Sequence, residues 1–275
     1  MPANTPTIEE LFKAGAHFGH SKTRSDARSH RFVYTYRNKI SIINLEKTRE
    51  MIEAALKYVE QKAKDGGVFL FVGTKLQAKE KVKETADKLS MPYIIERWPG
   101  GLLTNYEIIS KTIRKMIKNE TDLAESKLDY LKKKEKVKLD KDLKKMNMVF
   151  GGLKGLEKKP DVLIVVDAKE ETNAIAEARK LNIKVIAIAD TNANPKEIDF
   201  PIVANDDSKA TITLILDLIS ETIKNNYKPK VVEVKTEPGD KKAPTSETVG
   251  APTKSVGEAK PAAKKSESKT KKEKK

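Results

Sequence analysis

The sequence predicts an α/β fold: a parallel sheet with helices on both faces, a small N-terminal β piece before it and a structureless tail after it. Two observations carry this prediction. Five short runs, VFLFV (68–72), PYII (92–95), VLIVV (162–166), VIAIA (185–189) and FPIV (200–203), are apolar without polar alternation, as strands buried on both faces require. Most are followed by a turn and an amphipathic helical pattern, and repeated strand–helix units build a parallel sheet.

The elements follow in chain order. Thr7-Ile8-Glu9-Glu10 has capping-box spacing and starts a short helix ending near Gly15. FVYTYRNKISII (32–43) alternates about Arg37-Asn38-Lys39 and predicts a β-hairpin, after which a long helix covers about 46–64. Gly73-Thr74 leads from the first buried strand into a helix over 75–90. Between Trp98 and Asp161 the strand signals cease. Ile109, Ile113 and Met116, then Leu139, Leu143, Met146 and Phe150, recur at helical spacing on either side of a polar break at 119–126. Two helices with such narrow apolar stripes and charged outer faces predict an antiparallel hairpin leaning out of the domain. Asp167 leads into a helix over 170–181, and Asn205-Asp206-Asp207 into one over 207–226, with an aspartate as the natural N-cap. From Lys235 to Lys275 there is no Leu, Ile, Met or aromatic residue. Such a segment buries too little apolar surface to offset its ordering entropy, so a disordered Lys-rich tail is expected. The expected organisation is an α/β core over 1–104 and 148–234, a helical hairpin inserted at 105–147, and the tail 235–275.

Charge narrows the partners. The 275 residues hold 55 Lys+Arg against 40 Asp+Glu, a formal net charge of +15, which points to a polyanion: nucleic acid first, an anionic membrane surface second. From Lys228 onward, 14 lysines face 7 acidic residues, so the tail carries +7 and the rest of the chain keeps +8. The absence of cysteine excludes disulfides, Cys-ligated zinc, iron–sulfur clusters and thiol nucleophiles. The stretch MPANTPTIEELFK lacks the apolar core of a signal peptide, and no run approaches the roughly 18 apolar residues of a membrane span. A soluble, cytoplasmic protein without membrane partners is expected.

Several stretches invite a chemical reading. GAHFGHSKTR (15–24) brings His17 and His20 within three residues, but Gly15 and Gly19 break any helix that would align them, and a zinc site needs three or four ligands. With no Ser or carboxylate partner evident for catalysis, scaffolding of a tight turn is the favoured reading, and no metal is expected. VGTK (72–75) ends a strand where α/β enzymes bind ligands, yet neither the P-loop nor the dinucleotide pattern occurs; a nucleotide- or phosphate-handling enzyme using Lys75, Asp167 and Asp190 remains the alternative function. Asp167, Asp190, Asp206 and Asp207 at strand ends can hold magnesium or cap helices, with capping favoured. The strongest constellation is basic. KTRSDARSHRFVYTYRNK (22–39) holds Lys22, Arg24, Arg28, Arg31, Arg37 and Lys39 against the single acid Asp26, and four of the chain's eight arginines. Phe32, Tyr34 and Tyr36 alternate, so they are expected on one strand face. Arginine grips phosphate bidentately and exposed rings stack on unpaired bases, so this segment is read as RNA-binding. RWPGGLLTN (97–105) adds Arg97 and the only tryptophan. Trp98 is expected to anchor the foot of the helical hairpin, and both residues stay among the RNA-binding candidates. For the hairpin, 13 basic and 8 acidic residues between Glu107 and Lys145 leave a solvated charged face and an RNA-facing one equally open.

Taken together, LFKAGAHFGH (11–20), RNKISIINLEKT (37–48), FVGTK (71–75), RWPGGLLTN (97–105), PDVLIVVDAKEETNAIAEARKLNI (160–183), VIAIADTNANP (185–195) and NDD (205–207) resemble, in order, the family of small-subunit ribosomal protein number two in its bacterial form. The resemblance runs from about Ile8 to Asn226. It implies a flavodoxin-like five-stranded parallel sheet between helices, with an inserted antiparallel coiled coil. It also implies a non-catalytic structural constituent of the small ribosomal subunit, free of cofactors. Such a protein binds small-subunit rRNA where head and body meet and touches neighbouring ribosomal proteins, among them in many bacteria the mRNA-binding protein S-one.

Overall fold

The computed structural model describes residues 5–125 and 132–228. The expected tail (235–275) and residues 126–131 of the expected helical hairpin lie outside the described residues. Met1–Val231 forms one compact unit.

Helix α1 (Ile8–Lys13) opens with the predicted capping box: Thr7 Oγ1 accepts from Glu10 N at 3.2 Å, and Glu10 Oε2 accepts from Thr7 N at 2.8 Å. Gly15, at φ +78°, then turns the chain into a strand the sequence did not announce, β1 (Phe18–Ser21). A 3₁₀ turn follows at Ala27–Phe32, capped by Asp26. The predicted hairpin is β2 (Val33–Arg37) and β3 (Ile40–Ile43), and the three strands form an antiparallel sheet in the order β1-β3-β2. Phe32 ends the 3₁₀ turn, so it does not share a strand face with Tyr34 and Tyr36. The turn itself places Asn38 and Lys39 at φ 48° and 66°. That two-residue geometry favours Asn-Gly, and a lysine in the second position costs about 1 kcal/mol while keeping a cation at the tip. Helix α2 (Leu45–Lys64) is capped by Asn44 and buries Ile52, Ala55, Leu56, Val59 and Ala63.

The second sheet is β4 (Phe69–Val72), β5 (Tyr93–Ile94), β6 (Val162–Val166), β7 (Lys184–Ala189) and β8 (Phe200–Val203), all neighbours parallel, in the order β5-β4-β6-β7-β8. Counted within the sheet this is 2-1-3-4-5, the flavodoxin-like order. Its strands are buried on both faces, as the unalternated apolar runs predict. Phe69, Phe71, Val162, Ile164, Val166, Ile186 and Ile188 pack on one side with α2, α3 (Leu76–Leu89) and α7 (Lys209–Asn226). The residues between them, including Leu70, Val72, Leu163, Val165 and Val185, pack on the other with α6 (Thr172–Lys180) and the base of the insertion. Among the described residues no helix is long and apolar enough to cross a membrane.

Between β5 and β6 lie α4 (Tyr106–Ala124) and α5 (Lys133–Phe150). Ile113 and Met116 of α4 are buried with Leu143 of α5, and Glu120 accepts from Asn147. At the base, Tyr106 Oη donates to the Leu156 carbonyl at 2.7 Å. Just past α5, Gly152 lies so close to β5 that a Cβ there would sit 2.3 Å from the Tyr93 carbonyl oxygen and 2.7 Å from its ring. Backbone cannot yield as a side-chain tip can. Gly152→Ala should therefore lower the unfolding free energy by about 1–3 kcal/mol, read as a lower midpoint in urea with an unchanged slope.

Candidate nucleic-acid interface

The N-terminal sheet is fastened over the carboxyl ends of β7 and β8. Asp26 N donates to the Thr191 carbonyl at 2.8 Å, Ser29 Oγ to the Ala193 carbonyl at 2.8 Å and His20 N to Thr191 Oγ1 at 3.0 Å. After β8, Asn205 N donates to the Ala16 carbonyl at 3.2 Å, and Ser208 Oγ and Thr211 Oγ1 both donate to the Ala14 carbonyl, at 2.8 and 2.9 Å. Gly19 permits the approach, since a Cβ there would lie 2.8 Å from Thr191 Cγ2. The basic segment is thus mounted on a rigid sheet.

On that mount the cations converge. Lys22 N bonds the Lys39 carbonyl at 2.9 Å, and Ser21 and Arg37 both pair with Ile40, so Lys22, Arg37 and Lys39 share one end of the small sheet. Lys22 Nζ lies 5.3 Å from the Tyr36 ring centroid and the Arg31 guanidinium 4.6 Å from that of Phe32; the rings steady the cations without neutralising them. Lys22, Arg24, Arg28, Arg31, Arg37 and Lys39 are all exposed. Among the described residues Arg28 alone of these six reaches acids, Asp26 and Glu197, at 3.8 and 3.9 Å. Tyr34, 75% exposed, stands beside them.

The other two candidates lie elsewhere. Arg97 is exposed but follows β5, the opposite edge of the large sheet; three to four strand spacings, roughly 14–19 Å, separate it from the cluster. Trp98 is corrected as an RNA contact. It is only 7% exposed, and its Nε1 donates to Glu177 Oε1 at 3.0 Å, so no ring face is left for a base. The anchoring role is the one it fills.

The histidines part company. His17 stacks on Phe12 (centroids 4.4 Å apart, planes 13°) and touches Phe18; burial pushes its pKa down, and its buried Nδ1 has no hydrogen-bond partner among the described residues. His20 has the carboxylate that the local sequence does not show. Its Nδ1 lies 2.6 Å from Asp190 Oδ2, and that bond raises its pKa. Asp190, Asp206 and Asp207 do converge: with His20 they each offer a ligand atom within 4.8 Å of the others, a donor set that suits a divalent cation. Capping explains them less well than expected, because α7 is capped by Ser208 and not by an aspartate. Asp167 does not cap α6 either: it accepts from Lys169 N and Glu170 N in the turn before that helix, whose N-cap position is Glu171.

Lys75 sits at the same place. Its ammonium lies 2.7 Å from Asp206 Oδ1, 2.7 Å from Asp207 Oδ1 and 3.2 Å from Asp167 Oδ2. Thr74 N donates to Glu171 Oε1 at 3.3 Å alongside. In this topology the crevice between β4 and β6 is where a nucleotide's phosphates would bind, and here acidic side chains line it and the one lysine is committed to them. An anionic ligand would meet net negative charge. The alternative of a phosphate-handling enzyme, which needed Lys75 for the ligand, gains no support from that geometry.

Comparison with known proteins agrees. A family model described as "Ribosomal protein S2" matches residues 11–226. Proteins named small ribosomal subunit protein uS2 from Dehalococcoides mccartyi strains BAV1 and CBDB1 are each 41% identical over 233 residues, spanning 84% of this chain and 95% of the relative.

Proposed function

The chain belongs to the ribosomal protein S2 family, a family of structural and not catalytic proteins, and from that premise we propose that it holds small-subunit rRNA through the cationic face of its N-terminal sheet. Lys22, Arg24, Arg28, Arg31, Arg37 and Lys39 clamp phosphates there. Arg97 makes a separate contact at the far edge of the large sheet. In this reading the helices over 106–150 form an arm inserted into the α/β core, and the protein sits where head and body of the subunit meet. Neighbouring small-subunit proteins, including the mRNA-binding protein S-one, complete its surroundings.

The observation that carries the reading is a set of exposed cations, five of them without acidic partners among the described residues, fixed to a rigid sheet. A solvated surface needs no such mounting, whereas phosphate recognition gains from it. Co-migration with small subunits in sucrose gradients of cell lysate at low and high magnesium is the expected result; absence from every ribosomal fraction overturns the reading. On isolated small-subunit rRNA, replacing Arg28, Arg31 and Arg37 by alanine should reduce the slope of log affinity against log salt by about two to three, at roughly 0.7–0.9 for each phosphate no longer neutralised. An unchanged slope would move the RNA-binding surface away from this patch.

A further inference from the structure

We infer that Lys47, in the first turn of α2, is a positioning residue for Arg31 and stands in the cationic face as its seventh cation. The inference rests on the rRNA-binding reading above and adds a residue from outside the basic segment 22–39. Lys47 Nζ donates to the Arg31 carbonyl at 2.5 Å, and Asn44 N donates to the next carbonyl, that of Phe32, at 2.8 Å. Two consecutive carbonyls at the end of the 3₁₀ turn are thus fastened to the start of α2. A lysine suits the carbonyls left over at a helical C-terminus, both as a donor and as a positive charge. Arg28, nearer the start of the turn, is held otherwise: its N–H donates to Asp26 Oδ1 at 2.8 Å, and its guanidinium reaches Asp26 and Glu197. Arg31 has no acidic partner among the described residues, only the Phe32 ring under its guanidinium. Its main chain takes its orientation from Lys47.

Lys47 is itself firmly placed. Its neighbour Thr48 is fully buried, and Thr48 Oγ1 donates to the Val203 carbonyl at the end of β8, at 2.7 Å. The choice of partner separates Lys47 from a lysine on a solvated face. On the same helix Lys57 and Lys64 give their ammonium groups to Glu53 and Glu60, one turn back, at 2.8 and 2.5 Å. Lys47 has Glu50 within one turn, yet among the described residues it makes no ion pair and turns to a main-chain carbonyl. A carboxylate would cancel the charge, whereas a carbonyl fixes the ammonium and leaves the charge whole. One of its three N–H donors serves Arg31, and the exposed head keeps the others for a phosphate.

The experiment reads the slope of log affinity against log salt for the full chain on small-subunit rRNA, in a double-mutant cycle of Lys47→Met and Arg31→Ala. Methionine keeps an apolar stem and removes both donor and charge; circular dichroism and urea unfolding check the fold. Alone, Lys47→Met should lower the slope by about 1.4–1.8, its own phosphate contact and that of Arg31 at roughly 0.7–0.9 each. In the Arg31→Ala background the same change should remove only about 0.7–0.9. Lys47→Arg, which keeps charge and donors, should recover most of the slope, and Lys57→Met at a paired lysine further along α2 should leave it unchanged. An unchanged slope in Lys47→Met makes Lys47 an ordinary solvated lysine and overturns the inference. Equal losses in the two backgrounds, as a merely structural lysine would give, overturn the positioning role. If Arg31→Ala alone keeps the wild-type slope, the cationic face is misassigned; if the unaltered chain binds no rRNA, the ribosomal RNA reading falls. Lys47 falls with either.

Discussion

Replacing Glu177 by alanine should lower the unfolding free energy by about 3–5 kcal/mol and loosen the foot of the helical insertion. One carboxylate on α6 receives five donors from the loop that leads into α4. Oε1 accepts from Trp98 Nε1 at 3.0 Å and Gly101 N at 2.7 Å; Oε2 accepts from Leu103 N at 3.0 Å and from Thr104 N and Oγ1, both at 3.2 Å. Burial pushes the Glu177 carboxyl up, but the bonds from Trp98, Gly101, Thr104 and Leu103 outweigh it and hold the group below the usual carboxylate range. Gly101, at φ +85°, gives the loop the curvature to present three N–H groups to one side chain. Truncation orphans the Trp98 and Leu103 donors in particular, because both residues are buried, and each orphan costs about 1–3 kcal/mol. Glu177→Gln keeps one carbonyl oxygen but turns an amide NH₂ toward other donors, so its loss should fall between wild type and alanine. Urea unfolding measures the stability. Spin labels on exposed Lys118 and on the core should show a broadened distance distribution in the alanine variant. A distribution as narrow as wild type would mean that Tyr106 and Gly152 hold the base without Glu177.

Nothing in the helical stretch AIAEARKL marks Glu177, because its partners lie 73–79 residues earlier in the chain. Its role arises only when α6 packs beside the loop. The same holds for His20, whose partner Asp190 is 170 residues away. What was legible shares one property: its cause is local. Unalternated apolar runs give two-faced burial, and the strands β4 to β8 appear where those runs lie. Thr7 and Glu10 satisfy each other within one turn. The spacing of Ile113, Met116 and Leu143 marks α4 and α5 because it depends on helix period alone. The cationic cluster could be read because its six members all fall between Lys22 and Lys39, whereas Arg97 joined them only by composition and lies strands away. Strand β1 escaped notice because four residues that include Gly19 carry no alternation; its signal is the pairing with β3. The α7 cap was misplaced by two residues at most. That small shift matters, because it releases Asp206 and Asp207 from capping and puts them against Lys75.

Lys75→Met tests what that release is for, and its effect should depend on pH. The ammonium is the one lysine set against Asp167, Asp206 and Asp207, with Asp206 fully buried and Asp167 nearly so. Removing a single partner from such a group leaves buried charge uncompensated, worth about 3–5 kcal/mol. Burial alone would push the Lys75 pKa down; the bonds to Asp206 and Asp207 and the charges of Asp206 and Asp167 outweigh it and raise it. Asp206 is itself pushed up to about 7, first by burial and then by Asp167, against the pull of Lys75. His20 is raised chiefly by its bond to Asp190. All three shifts run upward, so the native state holds more protons than the unfolded one and stability falls with rising pH. For Asp206 the contribution is complete below its unfolded value of 3.8 and gone above about 7; for His20 it is lost as pH rises past 6.5 through the raised folded value. Without the ammonium, Asp206 resists ionisation further and the window stretches upward. The deficit of the Lys75→Met variant against wild type should therefore be smallest near pH 5 and largest near pH 8, as measured by urea unfolding at both. A deficit that stays level across that range, or shrinks toward pH 8, would show that the carboxylates find their compensation elsewhere than in Lys75.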